Sequence, residues 1–211
     1  KTPACPMARK CGGCQIQEMK YAAQLAFKEG KVCGNLERIG GFDRGKIDAV
    51  MEPVEGMDEP FRYRNKAQFP FGTDKEGNPV TGFYAGRTHS IVPVDECYIQ
   101  HPLNRQLMEI VRRWMKDHNV SSYNEIAHTG LVRHIFTRIG KYTGEIMVCL
   151  VINGKGIPAA DALVDVLKDI PGMTSICLNI NREKTNVILG DTVRCLWGKP
   201  YITDKIGNVT Y

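Results

Sequence analysis

Apolar and polar residues alternate in short runs along most of the chain after residue 60, and this pattern predicts a β-rich structure. In the segment 61–71 the odd positions are mostly apolar and the even positions mostly polar. Alternation with a period of two is typical of a strand with one buried and one exposed face. Comparable runs predict further strands at 80–84, 89–94, 132–139, 145–152, 174–181, 186–189 and 192–197, with a last piece near 208–211.

Helical spacing of apolar residues appears in three places: 18–39, 102–118 and 161–168. The first predicted helix ends at Gly40-Gly41, and the polar segment 43–60 that follows, with two prolines, is predicted to be a linker. The sequence therefore predicts an α+β fold. We expect a mostly antiparallel mixed sheet with two or three packed helices, preceded by a cysteine-rich metal loop and a helix.

The composition is that of an ordinary globular protein, and its positive net charge mildly favours an anionic partner. The 211 residues are 43% hydrophobic and 24% charged, with a net charge of +5. A chain of this length can bury a good core. No apolar run is long enough for a membrane span, and the first residues lack an apolar signal-peptide core. We therefore expect a cytoplasmic monomer that does not bind membranes.

Four cysteines carry the clearest chemical signal. Cys5, Cys11 and Cys14 lie in the run C-P-M-A-R-K-C-G-G-C, and Cys97 stands alone about eighty residues later. The glycines between Cys11 and Cys14 let this segment wrap around one centre without steric conflict. Four thiolates suit either an iron–sulfur cluster or a zinc ion, and spacing alone leaves both open. The other four cysteines, in apolar surroundings, are predicted to be small core residues.

The motif C-x5-C-G-G-C-x-x-Q, followed by a lone distant cysteine, resembles the bacterial [4Fe-4S] 23S rRNA (uracil-C5)-methyltransferases. Further segments agree in order along the chain: Tyr63-Arg-Asn-Lys-Ala-Gln68, Val92-Pro-Val-Asp-Glu-Cys97, Leu131-Val-Arg-His134 and Thr185-Asn-Val-Ile-Leu-Gly190. The resemblance implies a [4Fe-4S] cluster held by Cys5, Cys11, Cys14 and Cys97. It also implies a cytoplasmic enzyme of rRNA processing that transfers a methyl group from S-adenosylmethionine to uracil C5.

The same resemblance implies a division of the chain. Residues 1–17 would be the cluster loop, completed by Cys97, 18–60 a helix and linker, and 61–211 a central α+β domain that contacts RNA. Methylation of uracil C5 requires a nucleophilic cysteine, a base and a cofactor pocket. No glycine-rich turn of the usual cofactor-binding kind is found here. We therefore expect the Rossmann-like catalytic domain to be absent from this sequence, and the sequence to be inactive alone.

Cations on the exposed face of the predicted 61–71 strand indicate where RNA would bind. Side chains at alternate positions of a strand share one face. Cations in a row on that face repel one another unless anions such as phosphates lie opposite them. The competing interpretation is a solvated strand face with internal ion pairs. The residues of this strand predicted to contact RNA are Arg62, Arg64, Lys66 and Gln68, and Arg87 and Arg133 are predicted to add to the same surface.

Two other functional classes remain open from the residues alone. A zinc-stabilised nucleic-acid-binding module would use the same four cysteines without any enzymatic role. A small electron-transfer iron–sulfur protein would also need them, although most of the chain has no evident part in holding a cluster. The metal content separates these classes.

Overall fold

A computed structural model of the chain describes residues 2–86, 88 and 90–211, and its main feature is a seven-stranded sheet. The strands run in the order β3-β2-β1-β4-β5-β6-β7. Their bounds are β1 Lys66–Thr73, β2 Pro79–Tyr84, β3 Ile91–Pro93, β4 Val132–Ile139, β5 Ile146–Ile152, β6 Met173–Ile180 and β7 Thr192–Gly198. A separate small hairpin joins β8, Lys205–Ile206, to β9, Val209–Thr210.

Every pairing in the large sheet is antiparallel except that of β5 with β6. The parallel pair is connected by α4, Ala160–Lys168, because parallel neighbours need a crossover rather than a tight turn. Strand β5 is apolar at every position, as expected for a central strand covered on both faces. The prediction of an α+β fold with a mixed, mostly antiparallel sheet is confirmed.

One face of the sheet is buried under α4 and α3, Leu103–Asp117, and this layer contains the main core. The face of α3 that packs inward includes Leu107, Val111 and Trp114. The Trp114 indole N–H donates to the carbonyl of Ala159, 3.3 Å away, and so fixes α3 against the start of α4. The strands contribute alternate residues, such as Ile135 in β4 and Leu150 in β5.

Several predicted boundaries were wrong. The first helix, α1, runs from Tyr21 to Arg38, and the predicted linker contains a second short helix, α2, Arg44–Val50. The side chain of Asp43 accepts a hydrogen bond from the Lys46 N–H at 3.2 Å, which caps α2. The segment 186–189 is a loop rather than a strand. In the part of the chain that is described, no helix is sufficiently long and apolar to cross a bilayer.

A pair of neighbouring residues in α4 tests the location of the core. Leu167 is fully buried between helix and sheet, whereas Val166 is 53% exposed. We expect Leu167→Ala to lower the free energy of unfolding by about 2–5 kcal/mol, because it removes packed methyl groups and leaves a cavity. Val166→Ala should change it by less than about 0.5 kcal/mol. Urea unfolding measures both, and equal losses would contradict the assigned packing of α4.

Candidate metal centre and nucleic-acid interface

The cysteine-rich N-terminal segment has almost no core of its own. Residues 2–20 form turns without a helix or strand, and none of their side chains is fully buried. The segment is attached to the end of β2, where Cys11 bridges Ala85 and the Gly12 N–H donates to the Tyr84 carbonyl at 3.3 Å. A Cβ atom on Gly12 would approach Gly86 Cα to 2.9 Å, so the contact requires glycine.

The structure brings the four predicted metal ligands near one another. Burial raises the pKa of the Cys14 thiol, and the neighbouring Cys97, Cys11 and Cys5 raise it further, while Arg64 lowers it. Burial likewise raises the pKa of Cys97, with Cys11 and Cys5 adding to the effect against backbone N–H groups that lower it. All four cysteines are reduced.

The thiols do not, however, converge on a single point. Among the described residues, no group of three or more His, Cys, Asp or Glu side chains has an arrangement that could hold a metal ion. The four cysteines therefore interact electrostatically, but their side chains do not have the arrangement that a single metal ion requires. The prediction of a [4Fe-4S] cluster stays a prediction at this point.

Arg62 has a different place from the predicted one, because β1 begins at Lys66 and not at residue 61. Its backbone is left-handed, with φ of 55°, and its guanidinium turns toward the segment after β3. There it donates to the carbonyls of Cys97, at 2.8 Å, and Gln100, at 3.3 Å, and pairs with the Glu96 carboxylate. The predicted row of three cations on one strand face does not exist.

The backbone around Arg62 forms a short ladder with the residues that follow Cys97. The Arg62 N–H donates to the Tyr98 carbonyl at 2.9 Å, and the Arg64 N–H donates to the Ile99 carbonyl at 3.0 Å. The Arg62 guanidinium also lies over the Tyr98 ring, 5.2 Å from its centroid. Arg62 therefore positions the turn that carries Cys97, and its charge is already paired.

The remaining predicted residues of this segment lie at the surface of the sheet. Arg64 is exposed, while Lys66 and Gln68 are half-buried in β1 opposite Arg138 and Phe136 of β4. Directly paired residues share one face of an antiparallel sheet, so Lys66 and Arg138 place two cations together. Within the described residues, neither these two nor Arg64 has a carboxylate within 4.0 Å.

Arg133 is buried rather than at the surface, with only 3% of the residue exposed. Its guanidinium donates to the carbonyls of Asn181, Glu183 and Thr185 at 2.8–3.2 Å and lies over the Tyr123 ring. It anchors the loop between β6 and β7, so the predicted RNA contact has no accessible charge at this position. A cation here does not mark the surface, because β4 is covered on both faces over most of its length.

His134 follows Arg133 in β4 and is also buried. Burial lowers the pKa of His134 to about 4, with Arg133 adding to the effect, so this histidine is neutral near pH 7. That agrees with a packed strand residue rather than a catalyst. Arg87, the sixth residue predicted to contact RNA, lies outside the described residues.

Sequence reasoning also missed groups near the C-terminal hairpin. The buried Asp204 carboxylate accepts the backbone N–H groups of Lys141, Tyr142 and Thr143 at 2.7–3.3 Å. This interaction joins the β4–β5 turn to the segment before β8. The partners lie 61–63 residues apart in sequence, so no local spacing identifies this contact.

The positioning role of Arg62 can be tested by hydrogen exchange. Arg62→Gln removes the guanidinium bonds to the Cys97 turn, worth roughly 1–2 kcal/mol at this half-exposed site. We expect the amides of Arg62, Arg64 and Gln100 to exchange about 5–30 times faster as a result. Arg64→Gln is the matched control, because it removes an exposed cation for which the described residues provide no side-chain hydrogen bond. Equal exchange rates in the two variants would contradict the assignment.

Comparison with known proteins yields a consistent group of relatives. No protein-family model matches the chain. An uncharacterized RNA methyltransferase of Halalkalibacterium halodurans is 45% identical over 209 residues, covering 98% of this chain and 44% of that protein. An uncharacterized RNA methyltransferase of Clostridium tetani is 44% identical over 210 residues, covering 99% of this chain and again 44% of the relative.

A solved structure agrees with these relatives. The tRNA (uracil-54, C5)-methyltransferase of Pyrococcus abyssi, crystallised with S-adenosyl-L-homocysteine, superposes with a TM-score of 0.73 at 29% identity. The match covers 98% of this chain and 46% of that protein. The chain thus spans less than half the length of each relative. Over nearly all of its residues, it is similar in sequence to bacterial proteins named RNA methyltransferases and in structure to a uracil-C5 methyltransferase.

Proposed function

We propose that this chain is the cluster-holding and RNA-contacting part of an RNA (uracil-C5)-methyltransferase that acts on ribosomal RNA. The observation that carries the proposal is the superposition of 98% of the chain on a uracil-C5 methyltransferase, at 29% identity. Relatives of 44–45% identity that are named RNA methyltransferases support the same reaction class. Ribosomal RNA as substrate rests on the motif resemblance, since the solved neighbour is named for tRNA.

Cys5, Cys11, Cys14 and Cys97 would hold a [4Fe-4S] cluster. The donor set is chemically suitable because a four-iron cluster takes one thiolate per iron, and the chain supplies four cysteines that interact electrostatically. A segment with no buried side chain also needs a link other than a hydrophobic core. The cluster would supply covalent cross-links between residues 2–20 and the turn after β3, which is a structural role.

The proposed cluster predicts a defined metal content. Anaerobically purified chain should contain about four irons and four sulfides, and Cys97→Ser should lose most of both, because one iron loses its thiolate. Cys195→Ser, which removes an exposed thiol on β7, is the control and should keep them. Iron, sulfide and zinc analysis measures this.

The alternatives give different results in the same analysis. One zinc per chain without sulfide would contradict the cluster and favour a zinc-stabilised nucleic-acid-binding module. A full cluster in a chain with no affinity for RNA would favour an electron-transfer protein.

RNA would contact the cationic surface formed by Arg64, Lys66 and Arg138, with Gln68 beside it in β1. Cations without carboxylate partners attract phosphates and release counterions when they bind them. Arg62 and Arg133 are not included, because their charges already serve the Cys97 turn and the β6–β7 loop. Both act as positioning residues for the segments that they hold.

The salt dependence of RNA binding tests this surface. Arg64→Gln and Lys66→Gln together should weaken binding to a ribosomal RNA fragment. They should also reduce the slope of log affinity against log salt by roughly 0.7–0.9 per lost phosphate contact. Arg112→Gln is the matched control, because Arg112 is already paired with Asp95 and Glu109. Fluorescence anisotropy at several salt concentrations gives both quantities, and an unchanged slope would contradict the assignment.

Methyl transfer itself is proposed for the whole protein of which such a chain is part. S-adenosylmethionine would supply the methyl group. We assign no residue of this chain to its binding site. The inactivity of this sequence alone, a cytoplasmic location and a monomeric state stay predictions. Incubation of the chain with labelled S-adenosylmethionine and ribosomal RNA should show RNA binding without incorporation.

A further inference from the structure

A shallow cleft lies where β4 ends and β5 begins, between the large sheet and the C-terminal hairpin. We name it the tyrosine cleft. Its lining includes Asn65, Arg138, Met147, Tyr201, Ile202 and Tyr211. Tyr142 stands close by on the β4–β5 turn, because the adjacent Asp204 binds the backbone of that turn. Two of these rings present large free surfaces, with Tyr142 71% and Tyr201 56% exposed.

The walls of the tyrosine cleft are held by buried and bonded groups. Besides the three backbone N–H groups bound by Asp204, the Glu145 carboxylate accepts the Thr203 N–H at 2.6 Å. Asp204 and Tyr211 exchange two backbone hydrogen bonds of 2.9 and 3.0 Å. The exposed tyrosines therefore sit on segments that are fixed to the sheet, which lowers the entropic cost of binding a flat ligand there.

The charge around the tyrosine cleft is positive. Arg138 is exposed beside Lys66, and the Lys205 ammonium lies 5.4 Å from the centre of the Tyr142 ring. Two carboxylates are also present: Asp204 lines the cleft itself and Glu145 lies nearby. Both accept backbone N–H groups, and Glu145 also faces Lys199 at 3.9 Å. In the described part of the chain, Lys66, Arg138 and Lys205 have no carboxylate within 4.0 Å.

We infer that the tyrosine cleft binds unpaired RNA bases, stacked on Tyr142 and Tyr201, with the adjacent phosphates on Arg138 and Lys205. This inference rests on the proposed function and adds to it the form of RNA that is bound. Exposed aromatic rings next to cations without carboxylate partners are what single-stranded nucleic acid requires, because each base has a flat face and each linkage a charge. The Lys205 ammonium lies over one face of the Tyr142 ring, so a base would stack on the other face. Bases within an A-form duplex are stacked on one another and cannot reach the rings.

The two kinds of side chain make separable contributions to binding. Loss of a stacking ring lowers affinity for a single strand with little change in salt dependence, since no phosphate contact is lost. Loss of a cation reduces the salt slope by roughly 0.7 per phosphate for a single strand. If the tyrosines had only a structural role, their loss would lower binding to single strands and to duplexes alike.

The experiment compares binding of a uridine-rich single strand and of a duplex of matching sequence to this 211-residue chain. The double variant Tyr142→Ala with Tyr201→Ala should bind the single strand about fivefold or more weakly per ring, with an unchanged salt slope. Phe27→Ala, at an exposed aromatic position on α1, is the matched control, and Tyr142→Phe with Tyr201→Phe should restore stacking. Photo-cross-linking of 5-iodouridine RNA should label Tyr142 or Tyr201.

Each other outcome has a definite meaning. Equal affinity for single strand and duplex, or tyrosine variants that match Phe27→Ala, would overturn the inference and leave the cationic RNA surface intact. No binding of any RNA even at low salt would overturn the proposed RNA contact as well. If the double variant does not unfold cooperatively in urea, the cross-linking site decides, and labelling at neither Tyr142 nor Tyr201 would overturn the inference.

Discussion

The burial of one sheet face under α3 and α4 is the interaction on which the rest of the molecule depends. Alternate residues of the central strands supply the apolar side chains of this layer, and the two helices supply the others. Burial of apolar area gives the largest favourable contribution to folding, at about 25 cal/mol per Å². The helices occupy one side, but β4 and β5 are covered on both faces over most of their length. The proposed sites therefore lie at the strand ends and the margins of the sheet, where residues such as Arg138 are exposed.

Buried polar groups then determine how the loops sit on this framework. Arg133 binds three carbonyls of the β6–β7 loop, Asn181 binds two more, and Asp204 binds three N–H groups of the β4–β5 turn. Buried groups of this kind are costly unless they are hydrogen-bonded, so a loop that satisfies them has one strongly preferred position. Polar contacts therefore fix the positions of the loops, whereas apolar contacts stabilise the sheet.

The periodic parts of the fold could be predicted from the sequence, and the polar anchors could not. The apolar run of β5 and the helical spacing in α3 indicate the central strand and the packed helix directly. Arg133 looks like a surface residue because it is charged, and Arg62 because period two says only which face a side chain occupies. Whether that face is open depends on distant segments, the turn after β3 for Arg62 and the β6–β7 loop for Arg133. Such contacts between residues far apart in sequence leave no local pattern.

The two proposed sites are connected through only a few residues of extended chain. Arg62 holds the Cys97 turn, Arg64 pairs with the backbone of that turn and acts on the Cys14 thiol, and Lys66 begins β1. A cluster that fixes Cys97 and Cys14 would thereby fix the segment that brings Arg64 and Lys66 to the sheet surface. Cations that are already ordered lose less side-chain and backbone freedom on binding phosphates. A purely structural cluster would in this way contribute to RNA affinity without touching RNA or transferring an electron.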